Sequence, residues 1–347
     1  AAAQRLGEYP FQFSGGMKQR VMIAMALAGD PKLLIADEPT TALDVTIQAQ
    51  VLDLLGDIQR QRGMGMLLIT HDLGIVARLA LRVGVMYAGE LVEVAGRAPF
   101  FSAPKHPYSR KLFAALPRPE RRGGALETIP GSVPPLTTVF AGCRFTERCP
   151  SAMAICRSEP PAWHQAGPEH AVRCHLYDQA SGIKDQELVE RSASTIVSAS
   201  AGKTPEEGTK LLEVTDLKVH FPIRRGVLQR VAGHVKAVDG LSLRLDSGRT
   251  LALVGESGCG KTTAGKSILQ LIRPSAGSVR FGGEELTTLP AGRLRRLRGE
   301  MQIVFQDPYA SLNPRMRIRE SVREPLDILG EGTRAERNAR AVAVLER

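Results

Sequence analysis

The chain has no run of about 18 apolar residues, the length a helix needs to cross a bilayer; its longest stretch of that kind is Val21 to Ala28. A membrane-spanning helix is therefore not expected. The chain also lacks an initiator Met and an apolar signal core, opening instead on Ala1-Ala2-Ala3-Gln4-Arg5. It closes inside a helix-like pattern, Ala341 to Arg347, so both ends read as cut and a piece of a longer protein is expected. Cysteines are few: five, with no signal segment, which argues for a reducing compartment where thiols serve metals or chemistry rather than disulfides. A net charge of +10 would suit nucleic acid or an anionic membrane face. However, the densest basic group, Arg293, Arg295, Arg296 and Arg298, has no interleaved aromatics and reads as the solvated face of a helix. What is present is 347 residues, 43% of them hydrophobic, enough for two domains of ordinary size.

The most specific stretch is Gly255-Glu256-Ser257-Gly258-Cys259-Gly260-Lys261-Thr262, which fits the phosphate-loop pattern G-x-x-x-x-G-K-[ST] in full. It follows an apolar run, Thr250 to Val254, expected as a buried strand, and precedes Thr262 to Ile272, expected as a helix that also carries Thr263. Glycines let backbone N–H groups wrap an anion, and the helix N-terminus adds positive potential. Lys261 can then reach the outer phosphates and the Thr262 hydroxyl can ligate Mg2+. Cys259 lies inside this loop and is not a candidate metal ligand.

A second set of signals stands near the start. Ser14-Gly15-Gly16 precedes an apolar helix-like stretch, with Ser14 a good N-cap and the glycines leaving exposed amides, a second anion site. Leu33-Leu34-Ile35-Ala36-Asp37-Glu38-Pro39 reads as a buried strand delivering two adjacent carboxylates at its end. Such a pair is costly unless a cation or a task employs it: Asp37 can hold Mg2+ through water while Glu38 polarises an attacking water. Thr41-Ala42-Leu43-Asp44, an amphipathic stretch from Thr46 to Arg60, and a further buried strand ending in Thr70-His71-Asp72 follow.

Taken together, these motifs resemble those of ATP-binding cassette (ABC) ATPases. Ser14-Gly15-Gly16-Met17-Lys18-Gln19 resembles the signature motif, Leu33 to Glu38 the Walker B strand with its glutamate, Ala42-Leu43-Asp44 the D-loop and His71 the switch histidine. Gly255 to Thr262 resembles Walker A, and Val304-Phe305-Gln306-Asp307-Pro308 the Q-loop. The resemblance implies an α/β P-loop cassette with a mostly parallel core sheet, an antiparallel β edge and a helical subdomain. It implies phosphoryl transfer to water, with ATP and Mg2+ as ligands. Lys261 would neutralise the β- and γ-phosphates; Thr262, Gln306 and Asp37 would hold Mg2+; Glu38 and His71 would act on the water and the γ-phosphate. Ser14, Gly15 and Gly16, with Asp44, would close on a nucleotide bound to an opposite cassette. Phe221 is the candidate for stacking on adenine.

In one cassette the order is Walker A, Q-loop, signature, Walker B, histidine; here the last three come first. The economical reading is a window on a tandem protein: residues 1–97 the back half of a first cassette, 98–178 an extension, 179–210 a flexible linker, and 211–347 the front half of a second cassette. A circular permutant is the rival. The two halves are complementary, so the chain could fold as one permuted domain, with the Thr250 to Val254 strand pairing beside Leu33 to Ala36. In that case Lys261 and Glu38 would share a site; otherwise the fragment would bind nucleotide without hydrolysing it.

The extension, with His106-Pro107-Tyr108 and the four cysteines Cys143, Cys149, Cys156 and Cys174, resembles that of oligopeptide, dipeptide, nickel and glutathione importer ATPases. Their spacing is neither a zinc-ribbon pair nor a bacterial ferredoxin run, yet four thiols suggest one metal site, a [4Fe-4S] cluster or Zn2+. The implied protein is a cytoplasmic ATPase on the inner face of the cell membrane. Its partners would be two membrane permease subunits, a second cassette and, indirectly, a periplasmic solute-binding protein. A soluble cassette ATPase acting on nucleic acid is the alternative from another class, and a catalytically silent regulatory cassette a third; the Cys region argues against the former, and Glu38, His71 and Lys261 against the latter.

Overall fold

The structure is a computed structural model that describes residues 5–41, 43–115, 129–178, 209–225, 230–330 and 332–346. The expected linker lies outside the described residues apart from Thr209 and Lys210, as does Ala42 of the D-loop. Twelve strands are present among the described residues. They are β1 (Leu33–Asp37), β2 (Gly65–Thr70), β3 (Arg82–Tyr87), β4 (Glu90–Gly96), β5 (Trp163–Gly167), β6 (His170–Arg173), β7 (Lys210–Arg225), β8 (Arg230–Asp246), β9 (Thr250–Val254), β10 (Ala276–Phe281), β11 (Glu284–Glu285) and β12 (Met301–Val304).

Eight strands form one sheet in the order β12-β1-β2-β9-β3-β4-β6-β5, and four form a second, antiparallel sheet, β11-β10-β7-β8. The contacts from β12 through β3 are all parallel; those from β3 to β5 are antiparallel. Strands β1, β2 and β9 are buried at every position, which is why each reads as an unbroken apolar run rather than an alternating one. The two halves of the sequence therefore interleave: β9 is seated between β2 and β3, with Thr70 opposite Val254 and Val85 opposite Val254. The expected direct pairing of Thr250–Val254 with Leu33–Ala36 is corrected by one strand. β2 needs a parallel neighbour on both edges to satisfy its buried backbone, and it lies between them. At roughly 4.8 Å per neighbour, β1 and β9 are about 10 Å apart.

One face of the sheet packs on helix Lys261–Ile268 and on the antiparallel sheet, where Ile35, Ile69 and Leu253 meet Ala264, Ile268, Val214, Val238 and Leu241. Part of the opposite face is covered by the extension: Val85, Ala252 and Val254 join Tyr87, Tyr108, Phe145 and Phe100. Toward β12, Leu34, Met66 and Val304 pack against Ile23 of helix Gly15–Leu27 and Leu55 of helix Val45–Arg62. A helical layer follows, in which Val21, Ala24 and Ala28 bury against Ile318, Val322 and Leu326 of helix Ile318–Leu329 and Ala341 of helix Arg334–Glu346. The phosphate-loop helix ends at Ile268 rather than at Ile272. The basic stretch is helix Ala291–Leu297 with no buried residue, and Arg293 pairs with Glu284 at 2.8 Å, a solvated face as expected for Arg293, Arg295 and Arg296. Arg298, just past the helix, instead turns inward and donates to the carbonyls of Leu269 and Gln270.

Candidate functional site

Parallel strands place their C-terminal ends along one edge, and the crevice beyond those ends is where open α/β sheets bind ligands. Here Asp37 is level with Ile69 and Thr70 with Val254, while Ala36 is level with Val304. Consequently Glu38, His71, Gly255 and Gln306 all emerge from the same end of the sheet within two residues of a strand terminus.

The phosphate loop starts where β9 stops. Gly255 and Gly260 cannot carry a side chain: a Cβ at Gly255 would lie 2.1 Å from the Met86 carbonyl oxygen, and one at Gly260, whose φ is 101°, would lie 2.0 Å from that of Ala237. The Gly89 amide donates to the Cys259 carbonyl at 3.0 Å, fixing the loop from β3–β4. Lys261 is buried and folded back along the loop, its Nζ donating to the carbonyls of Gly255 at 2.8 Å and Glu256 at 3.0 Å. Ser257 and Gly258 form the exposed tip, and Thr263 sits on the first turn of the following helix.

The carboxylates come from the other half of the sequence. Thr262 Oγ1 donates to Asp37 Oδ1 at 3.0 Å, bridging 225 residues of chain. Burial pushes the Asp37 carboxyl up from its ordinary value; the Thr262 hydrogen bond opposes this, the adjacent Glu38 charge adds to it, and Lys266 and Lys261 offset part of it. A buried carboxylate with one hydroxyl partner and, among the described residues, no direct ion pair suits a cation, so Asp37 and Thr262 fit Mg2+. Glu38 holds a left-handed φ of 46°, stabilised by its amide donating to Ile69 O at 2.8 Å. Its Oε2 accepts from Gln306 Nε2 at 3.0 Å and from Thr41 Oγ1 at 3.0 Å, and its Oε1 lies 3.1 Å from His71 Nδ1. Three donors thus fix one carboxylate between the histidine and the Q-loop glutamine.

Thr41 was not a sequence candidate, although its spacing of three from Glu38 in a turn was readable. Gln19 was missed as well; it is buried, and its Nε2 donates to Pro39 O at 2.5 Å, tying the Ser14-Gly15-Gly16 helix to the Glu38 loop. Ser14 is the N-cap of helix Gly15–Leu27, as expected, but its side chain makes no capping hydrogen bond. Among the described residues no hydrogen bond joins Ser14, Gly15 or Gly16 to the phosphate loop. Asp44 caps helix Val45–Arg62 by accepting from the Ile47 amide at 2.9 Å. Phe221 lies on β7 opposite Val235, 40% exposed, with no described ring contact to the loop.

The four extension cysteines are free, and the Cys143 amide donates to the Cys156 carbonyl at 2.8 Å. Burial, and then the other three thiols, push Cys174 up to about 12, and burial pushes Cys143 up to about 11 and raises Cys149. Among the described residues, however, no group of three or more His, Cys, Asp or Glu side chains is arranged to hold a metal ion.

Comparison with known proteins follows the same division. A family model described as ABC transporter matches residues 1–41 and 238–347, and one described as the oligopeptide/dipeptide transporter C-terminal region matches 92–156. The oligopeptide transport ATP-binding protein OppD of Mycobacterium tuberculosis is 41% identical over 348 residues, 99% of this chain and 55% of that protein. Over nearly its whole length the chain is therefore similar to ATP-binding proteins of ABC transporters. The glutathione import ATP-binding protein GsiA of Escherichia coli K12 is 42% identical over 342 residues, 99% of this chain and 46% of that protein. The chain thus spans about half the length of the curated relatives it matches. A solved post-hydrolysis cassette dimer bound to ADP and Pi is similar at 24% identity and a TM-score of 0.32, covering 38% of this chain and 55% of that one. No helix among the described residues is long and apolar enough to cross a membrane.

Proposed function

We propose that this chain binds Mg-ATP at the strand-end site and hydrolyses it, as the ATP-binding part of an importer for peptides or related small solutes such as glutathione. The observation that carries the reading is the Thr262–Asp37 hydrogen bond, because it joins the phosphate loop of one sequence half to the carboxylate strand of the other. The loop amides and Lys261 would cradle the phosphates, the lysine leaving its two carbonyl partners for β- and γ-oxygens. Thr262, Gln306 and Asp37 would hold Mg2+, which neutralises charge on the phosphates. Glu38, locked by Thr41, Gln306 and His71, would orient and polarise the attacking water in line with the γ-phosphate. His71 would hold the glutamate's geometry and contact the γ-phosphate. Phe221 would stack on adenine.

Ser14, Gly15, Gly16 and Asp44 would act on a nucleotide held by an opposing cassette. ATP-driven closure and hydrolysis-driven reopening of that pair would gate two permease subunits at the inner face of the membrane, fed by a periplasmic solute-binding protein. The boundaries proposed for these parts are residues 1–97 and 211–347 for the two cassette halves, 98–178 for the extension and 179–210 for a linker. Steady-state ATP hydrolysis by the 347-residue chain, with Lys261→Ala as control, tests the reading. Hydrolysis lost in the variant supports it; hydrolysis absent from both, or equal in both, overturns it.

The cysteine set forms a separable part of the proposal. Its support is that Cys143, Cys149 and Cys156 are free thiols inside the matched segment 92–156, with Cys174 a fourth free thiol beyond it. If the set binds a [4Fe-4S] cluster or Zn2+, protein purified anaerobically will carry iron with acid-labile sulfide, or zinc, in stoichiometric amount. Metal-free protein of full stability removes this part and leaves the ATPase reading intact.

A further inference from the structure

The extension does more than cover the sheet: two of its side chains end on the phosphate loop. The Glu256 amide donates to the Tyr108 hydroxyl at 2.9 Å. The Glu256 carboxylate accepts both arms of the Arg148 guanidinium, Nη1 at 3.1 Å and Nη2 at 3.2 Å. Both partners are themselves fixed. Tyr108 is fully buried, in ring contact with Tyr87 at 4.7 Å and Phe145 at 5.4 Å, and burial raises its hydroxyl far above the ordinary tyrosine range, so it stays neutral. Arg148, also buried, donates from Nε to Pro130 O at 2.8 Å and from Nη1 to Tyr87 Oη at 3.2 Å, with its guanidinium 5.7 Å from the Tyr87 ring centroid. A second arginine of the same segment, Arg144, donates to Ala88 O and to Asp239 Oδ2, both at 2.6 Å, bracing the backbone that abuts Gly260.

We propose that Tyr108 and Arg148 are positioning residues for nucleotide binding, clamping Glu256 so that the loop's remaining amides stay aimed at the phosphates. This rests on reading the loop as the nucleotide site. The physical basis is preorganisation. A glycine-rich loop free to reorient its amides loses affinity to the ordering required on binding. Glu256 is fixed here at both its amide and its carboxylate. A bidentate arginine–carboxylate pair fixes direction as well as distance, which a lysine in the same place would not. The extension thereby becomes part of the nucleotide site without touching nucleotide, and anything that moves the extension would change affinity for ATP.

Two measurements on the full chain test the clamp. In the first, hydrogen exchange of the loop peptide is followed without nucleotide in wild type, Tyr108→Phe and Arg148→Gln; both variants are expected to speed exchange at residues 254–260. Tyr108→Phe keeps the buried ring and removes only the hydroxyl, so it remains informative if Arg148→Gln fails to fold. In the second, Mg-ATP binding is expected to weaken severalfold in Tyr108→Phe and about tenfold in Arg148→Gln, with KM moving more than kcat. The reversed pair Arg148→Glu with Glu256→Arg should recover part of what Arg148→Glu alone loses. Unchanged exchange together with wild-type affinity in both single variants would overturn the proposal. Failure of the nucleotide reading shows separately, as wild type that does not bind Mg-ATP or a Lys261→Ala variant that binds it equally well; the exchange measurement still decides the clamp in that case.

Discussion

The nucleotide site and the cysteine region are both built from side chains scattered along the sequence, yet only one closes into a defined arrangement. Asp37, Glu38, His71, Gln306 and the phosphate loop hang from the ends of parallel strands whose register is fixed by buried ladders on both sides. The cysteines hang from turns and a single helical turn, held by packing and by a few local hydrogen bonds, the Cys143 amide donating to Cys156 O at 2.8 Å and Thr146 Oγ1 donating to the carbonyls of both. A sheet converts residues more than 200 positions apart into a site; the irregular chain of the extension shows no group of three or more ligands arranged for a metal among the described residues. The difference is one of scaffold rigidity, not of residue chemistry.

The largest expected effect is at the strand-end site itself. Glu38→Gln should lower steady-state hydrolysis by on the order of a hundredfold or more while leaving Mg-ATP affinity within a few fold, since only the water-polarising charge is removed. Equal loss of binding and turnover would mean that Glu38 holds the site together rather than acting on water. Next in size is Gly260→Ala. The added methyl would meet Ala237 O in a residue at φ 101°, so a loss of roughly 3 kcal/mol or more is expected in urea denaturation, along with loss of nucleotide binding. A stable, binding-competent Gly260→Ala chain would show that the loop is not locked as described.

Cys174→Ala sharpens the comparison from the other side. Cys174 is 7% exposed, and loss of a small buried side chain should cost about 1–2 kcal/mol. A loss well beyond that would mean that more than packing holds the thiols. The smallest effect concerns pH. The Asp37 pKa is raised in the folded chain above its ordinary 3.8, so its contribution to stability is fully present below that value and is lost as pH rises through the folded pKa. Asp37→Asn should therefore raise the Tm of the nucleotide-free chain by a few degrees at about pH 7, with the gain vanishing as pH falls toward 3.8. A gain that persists undiminished at low pH would place its origin elsewhere.

Much of this was legible in the residues. Unbroken apolar runs ending in Asp37, in Thr70 and in Val254 marked buried strands, and the phosphate-loop glycines marked a backbone able to wrap its amides around an anion. The inverted motif order also pointed to complementary halves. What could not be read was strand order, because a buried strand carries no mark of its neighbours. β2 stands between β1 and β9 through ladder hydrogen bonds that any apolar sequence could make. Nor was the Glu256 clamp legible, because Tyr108 and Arg148 owe their role to long-range packing rather than to spacing.

The central claim is that both halves of one chain form one site. Mixing Lys261→Ala chain with Glu38→Gln chain tests it most directly. If each site draws its lysine and its glutamate from the same chain, every site in the mixture carries one defect, and hydrolysis stays at background while wild type turns over ATP. Recovery of hydrolysis on mixing would show that the lysine and the glutamate meet across two chains, and would contradict the account.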